Sequence, residues 1–174
     1  SSIAKRGTRL TGAAKDPVTV RLALEEFLPS DHFARTGGAA LVLGSGGAGC
    51  ALSHQLGVRA DRPSAIVCTE RSDDRLDHLR DLHARSGIAG VRYVRVARPA
   101  DTDALLAALP PSSLVANATG MGKDVPGSPL GGGARFPERA VAWEFNYRGP
   151  LEFLQQARAQ QRARDLVVED GWRY

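Results

Sequence analysis

The chain has 174 residues, 43% hydrophobic and 24% charged, with a net charge of +4 and a pI of about 9.5. That length and balance describe a globular domain with a sizeable core. They exclude a membrane span, since no apolar run approaches the ~18 residues one needs, and Ser1 to Arg6 lack the apolar centre of a signal peptide.

Arginine supplies most of the positive charge. Arg59, Arg62, Arg71, Arg75, Arg80 and Arg85 alternate with Asp61, Asp73, Asp74, Asp77 and Asp81. This pattern reads as a solvated, salt-bridged surface and not as a nucleic-acid stripe. It still attracts a phosphorylated or carboxylate ligand. Cys50 and Cys68 form no C-x-x-C pair and lie among apolar residues. Both read as small core residues of a reducing, cytoplasmic compartment.

In chain order, residues 1–16 are polar and read as irregular. Asp16-Pro17 reads as an N-cap followed by proline at the first helical position. Val18, Leu22, Leu24, Phe27 and Leu28 predict the apolar face of a helix ended by Pro29. A loop follows over 30–38. Ala39 to Leu43 is apolar throughout, as a strand buried on both faces of a parallel sheet would be. A helix is predicted over Gly47–Gly57 and a strand over Ser64–Thr69. The helix over Asp73–Ser86 is expected to turn Leu76, Leu79 and Leu82 inward. A strand over Val91–Val96 precedes a helix over Asp101–Leu109, capped by Asp101 and stopped by Pro110-Pro111. Strands over Ser113–Ala118 and Val141–Phe145, a helix over Leu151–Arg164 and a last strand over Asp165–Val168 complete the set. Alternating strands and helices predict a doubly wound parallel sheet, an α/β, Rossmann-like αβα sandwich, with an N-terminal connecting helix. Residues 1–36 read as linker and connecting helix and residues 37–174 as the nucleotide-binding core. Gly120 to Phe136 has no periodicity, and so long a loop in a compact domain is usually functional or mobile.

The glycine turn after the first of these strands carries the functional signal. Gly44, Gly46 and Gly49 fit G-x-G-x-x-G, the dinucleotide fingerprint. Gly44 permits the tight turn, Gly46 lets a pyrophosphate approach the backbone, and Gly49 lets the helix pack closely on the strand. The phosphates then meet free N–H groups at the positive end of a helix dipole. Glu70 lies about 20 residues further on, where such domains place the acid that accepts from ribose hydroxyls. Arg71 is suited to stack on adenine or to bind a 2′-phosphate, and Ser72 follows it. A carboxylate repels a 2′-phosphate, so the balance leans to NAD over NADP. Asn117, Ala118, Thr119 and Met121 follow the next strand but two, at the carboxyl end of the sheet where ligands bind. Tyr147 offers an apolar ring with a hydroxyl tip at the same edge.

Together, Gly44-Ser45-Gly46-Gly47-Ala48-Gly49, Thr69-Glu70-Arg71-Ser72, Asn117-Ala118-Thr119 and Glu144-Phe145-Asn146-Tyr147 resemble the shikimate dehydrogenase family. In that family a GxGGAxxA loop, an N-R-T or acidic segment, N-A-T-x-x-G and D-x-x-Y occur in this order. Gly12-Ala13-Ala14-Lys15-Asp16 resembles its G-x-N-T-D segment, with the asparagine and threonine replaced. The resemblance implies a nucleotide-binding domain of an NAD(P)-dependent oxidoreductase acting on shikimate or a related cyclic hydroxy acid. It implies that Ser45, Gly46, Gly47 and Ala48 contact the pyrophosphate, that Asp16 is catalytic or orients substrate, and that Tyr147 lies near substrate. It also implies a substrate-binding domain, holding the catalytic lysine, and a closing substrate-binding segment, neither found in this stretch. The isolated chain is accordingly expected to bind dinucleotide without turnover. A non-catalytic dinucleotide- or metabolite-sensing module of a larger regulator is the other reading.

Overall fold

A computed structural model describes residues 2–174. A six-stranded, wholly parallel sheet carries the molecule. Its strands are β3 (Ala40–Leu43), β4 (Ile66–Glu70), β5 (Val91–Arg95), β6 (Leu114–Asn117), β7 (Val141–Glu144) and β8 (Val167–Glu169), in the order β5-β4-β3-β6-β7-β8. β3 therefore pairs with β4 on one side and β6 on the other. The connections wind away from β3 in both directions, which makes its carboxyl end the switch point of a doubly wound sheet.

Strand alternation divides the core into two layers. Ala40, Val42, Ile66, Cys68, Leu114, Ala116 and Trp143 face one side, with Val20 and Leu24 of α1 (Asp16–Phe27) and Leu52 and Leu56 of α3 (Gly47–Val58). Leu41, Leu43, Val67, Val115 and Ala142 face the other, with Leu106 of α5 (Pro99–Ala107) and Phe153 and Ala157 of α6 (Glu152–Arg164). Burial on both faces explains why these strands read as continuous apolar runs.

Several local expectations are corrected. Residues 2–13 are not irregular. They form an antiparallel hairpin, β1 (Ser2–Arg6) and β2 (Arg9–Ala13), turning at Gly7 with φ +61, and every strand residue in it is exposed. With no apolar face, its sequence carries no strand signal. In α1, Lys15 is the residue that precedes the helix and Asp16 lies inside it, so Asp16 is not an N-cap. The buried stripe is Val20, Ala23, Leu24 and Leu28, whereas Val18 and Leu22 are about half exposed. Four apolar residues at two offsets fit two helix faces equally, and packing against α3 selects one. A short helix, α2 (His32–Thr36), interrupts the expected loop, held by Asp61, whose carboxylate accepts from the Phe33 and Ala34 N–H groups. In α4 (Asp73–Arg85) the buried residues are Leu76, Leu79 and His83, with Leu82 only half-buried. α5 begins two residues early. Asp101 caps it from within, accepting from the N–H groups of Ala97 (3.1 Å) and Arg98 (2.9 Å). β8 begins late because Asp165, at φ +54, is still closing α6.

The 120–136 loop is pinned. Its Ser128 hydroxyl, Gly131 N–H and Phe136 N–H donate to Gln156, Asp103 and Gln160, and Leu130 and Phe136 are buried.

Candidate functional site

A cleft of about 360 Å³ opens at the carboxyl ends of β3, β4, β5 and β6. Gly44, Gly46, Glu70, Arg71, Ala118, Thr119 and Met121 line it. Seven of the residues singled out by sequence thus meet in one wall.

The three glycines differ in surroundings. Gly44 adopts φ +93, and its N–H donates to Thr69 O (2.9 Å). A Cβ there would lie 3.0 Å from both the Ala118 carbonyl oxygen and Thr119 Cγ2. Gly49 stands against the Gly44 carbonyl, with no room for a side chain. Gly46 faces open space, with nothing within 4 Å of an added Cβ. It begins α3 and, as a glycine, offers that helix no capping side chain of its own. The N–H groups of Gly47, Ala48 and Gly49 form the first turn of α3, the place where a helix receives an anion. The cradle fits a pyrophosphate: open at Gly46, rich in donors, and at the positive end of a 12-residue helix.

Glu70 ends β4 and braces this turn. One carboxylate oxygen accepts from the Ser45 N–H (3.1 Å) and hydroxyl (2.9 Å), the other from the Arg71 N–H (2.7 Å). Burial pushes its pKa upward, but these hydrogen bonds and the Arg75 charge outweigh it and hold the carboxyl below its ordinary value. Among the described residues the Oε1 atom receives one bond only, so it retains acceptor capacity for a ligand hydroxyl. Ser72 immediately precedes α4 without capping it by its side chain.

Asn117 does not reach the cleft. It is fully buried beneath the 118–121 segment. Its carbonyl oxygen accepts from the Thr119 N–H (3.1 Å) and hydroxyl (2.6 Å), and its amide donates to Glu144 (2.8 Å). Asp16 lies beside the glycine turn, its carboxylate 3.5 Å from a Cβ built on Gly47, and its charge raises the Tyr174 pKa after burial does. Tyr147 is half exposed and its ring lies 5.7 Å from that of Trp172. Neither Asp16 nor Tyr147 lines the cleft.

Sequence reasoning passed over Arg75, Arg98, Pro99, Thr102 and Val125, which also line the cleft. Residues 96–99 leave the carboxyl end of β5, and the rule that ligands sit at such ends was the available signal. Cys68 is buried, its pKa pushed up by burial to about 12; Cys50 is half-buried and its thiol donates to Ser45 O (3.2 Å). Among the described residues no helix is long and apolar enough to cross a membrane.

Comparison with family models and with curated proteins finds no match. Comparison with solved structures finds quinate dehydrogenase from Corynebacterium glutamicum, in complex with NAD, at TM-score 0.72 and 22% identity over 98% of this chain and 56% of that one. Shikimate 5-dehydrogenase from Listeria monocytogenes, in complex with shikimate and NAD, aligns at TM-score 0.67 and 17% identity over 98% of this chain and 57% of that one. A shikimate dehydrogenase in complex with NADP+ gives TM-score 0.66 and 20% identity over 97% of this chain and 54% of that one. The chain spans a little over half the length of each. It therefore has the doubly wound, Rossmann-like α/β fold that makes up about half of each of these dehydrogenases.

Proposed function

We propose that this chain is the NAD(P)-binding domain of a shikimate dehydrogenase-like oxidoreductase that moves a hydride between a nicotinamide and a cyclic hydroxy acid. One observation carries the reading. The cleft at the switch point joins a helix N-terminus that opens on a glycine, nothing within 4 Å of a Cβ added to that glycine, and a carboxylate oxygen with acceptor capacity to spare. The motif resemblance and the likeness to dehydrogenases over nearly the whole chain support it.

When bound, the nicotinamide supplies or accepts the hydride. The protein's part is to bind and orient. Gly47, Ala48 and Gly49 hold the pyrophosphate with Ser45 and Gly46, Glu70 accepts from the adenosine ribose, and Arg71 covers the adenine. Thr119 and Met121 form the inner wall beside the nicotinamide. Asp16 and Tyr147 stand outside this wall and are assigned to the substrate side, Asp16 holding the substrate or its proton. The lysine that would complete proton transfer belongs to a substrate-binding domain, so the 174-residue chain alone binds dinucleotide and turns over negligibly. A cytoplasmic enzyme fits this reading.

NAD is preferred because Glu70 repels a 2′-phosphate. Arg71, Arg75 and Arg98 in the same wall favour NADP as the second reading. Calorimetric titration with each dinucleotide, repeated on Glu70→Ala, decides. The expected result is tighter binding of NAD, with the variant shifting preference toward NADP. Tighter NADP binding that Glu70→Ala leaves untouched overturns the cofactor assignment. No binding of either overturns the function.

A further inference from the structure

We propose that Glu144 is a positioning residue for the inner wall of the cleft: its buried carboxylate fixes the orientation of Asn117 and Asn146, which hold the Thr119–Met121 segment. The functional part of this inference rests on the dinucleotide reading.

Glu144 ends β7 and is fully buried. Every group that bonds it is a donor. The Asn117 side-chain amide reaches both of its oxygens (2.8 and 3.1 Å), and the Asn146 N–H (2.9 Å) and side-chain amide (2.8 Å) reach one. Because both amides turn their NH₂ groups toward Glu144, their other contacts are set. The Asn117 carbonyl oxygen must face Thr119, where it accepts from the N–H and the hydroxyl. The Asn146 NH₂ also donates to the carbonyls of Thr119 (3.1 Å) and Met121 (3.0 Å). Thr119 in turn touches the glycine turn, since a Cβ on Gly44 would lie 3.0 Å from its Cγ2. The chain of contacts runs from one buried acid to the wall and to the phosphate cradle.

An ionised carboxylate only accepts, which suits four donor contacts. A proton on Glu144 puts a donor against donors, and the amides must turn or let go of Thr119 and Met121. Burial raises the Glu144 pKa to about 7, against the donors and the Lys123 charge. On the β8 side Glu169, in register with Trp143, is matched by Arg173, and Asp170, which follows it, by Arg158. None of the four histidines lines the cleft. Glu144 is thus a buried carboxylate behind the wall whose raised pKa lies near neutrality.

The test has a ligand-free arm and a ligand arm on the same chain. In the ligand-free protein, backbone amide NMR signals of Thr119, Met121 and Asn146 are followed against pH. They should move together with one midpoint near neutrality, and the movement should vanish in Glu144→Gln and persist, with a displaced midpoint, in Glu144→Asp. In the ligand arm, NAD affinity of the wild type should weaken about fivefold or more from about pH 8 to about pH 6, and Glu144→Gln should be weak and flat. Static amides across that range in the wild type overturn the proposal, whether or not Glu144→Gln folds. Amides that titrate with NAD affinity unchanged overturn the link to the cleft. Amides that titrate in a chain that binds no dinucleotide uphold the positioning role and overturn the dinucleotide reading.

Discussion

Gly46 and Gly49 sit in one turn, yet a methyl group added to each meets opposite surroundings. At Gly46 it projects into open space, with an ordinary φ of −69. At Gly49 it meets the Gly44 carbonyl. Gly46→Ala is expected to unfold within about 0.5 kcal/mol of the wild type while weakening dinucleotide binding. Gly49→Ala is expected to lose about 3 kcal/mol or more, because a backbone must move to admit it. Chemical denaturation and NAD titration of the two variants check both halves. Glu144 adds a stability term of definite sign. Its pKa is about 7 in the fold, above an ordinary 4.5. The unfolded chain therefore holds fewer protons between these values, and the contribution, full below pH 4.5, is lost as pH rises through 7. Wild type should gain about 3 kcal/mol relative to Glu144→Gln between about pH 8 and pH 4.5, by urea denaturation at each pH. A constant difference contradicts it. So the form of Glu144 that orders the cleft is the form that weakens the fold.

At the scale of elements, β3, β4, β6 and β7 were legible because they are buried and apolar on both faces, and Pro29 and Pro110-Pro111 marked helix ends. The offset of α1 was not legible. Val18 and Leu22 are as apolar as Val20 and Leu24, and only the position of α3 and β7 decides between them. Leu24→Ala should destabilise by about 2–5 kcal/mol and Leu22→Ala by under about 0.5 kcal/mol in thermal or urea unfolding. Equal losses contradict the packing described. The glycine turn and Glu70 were legible as a site because their spacing is set by the strand–turn–helix geometry itself. The cleft's Arg98 and Thr102 were not, since they approach it only through the pairing of β5 with β4. Asn117 was read as a ligand contact at a strand end. It instead lies under the floor, a distinction that depends on side-chain direction, which alternates residue by residue.

At the scale of the molecule, the alternating elements announced the parallel sheet, but nothing local stated that β3 lies at its middle. The hairpin is the feature that the order of elements least prepared. Its ten strand residues bond to one another and bury nothing, with Ile3 and Leu10 strongly exposed. A two-stranded ribbon without a packed face contributes little stability. Amide hydrogen exchange should show the hairpin opening far below the free energy that protects β3 and β6, and equal protection contradicts this.

That arrangement has a consequence for handling the protein. A protease that cuts after basic residues finds Lys5, Arg6 and Arg9 displayed on the hairpin, while β3 and its neighbours offer it nothing inside the sheet. Brief digestion should trim the amino terminus and leave a resistant body that begins near α1 and keeps the glycine turn whole. The hairpin is therefore a natural cutting line. It separates what must stay together to cradle a phosphate from what can be removed at the bench.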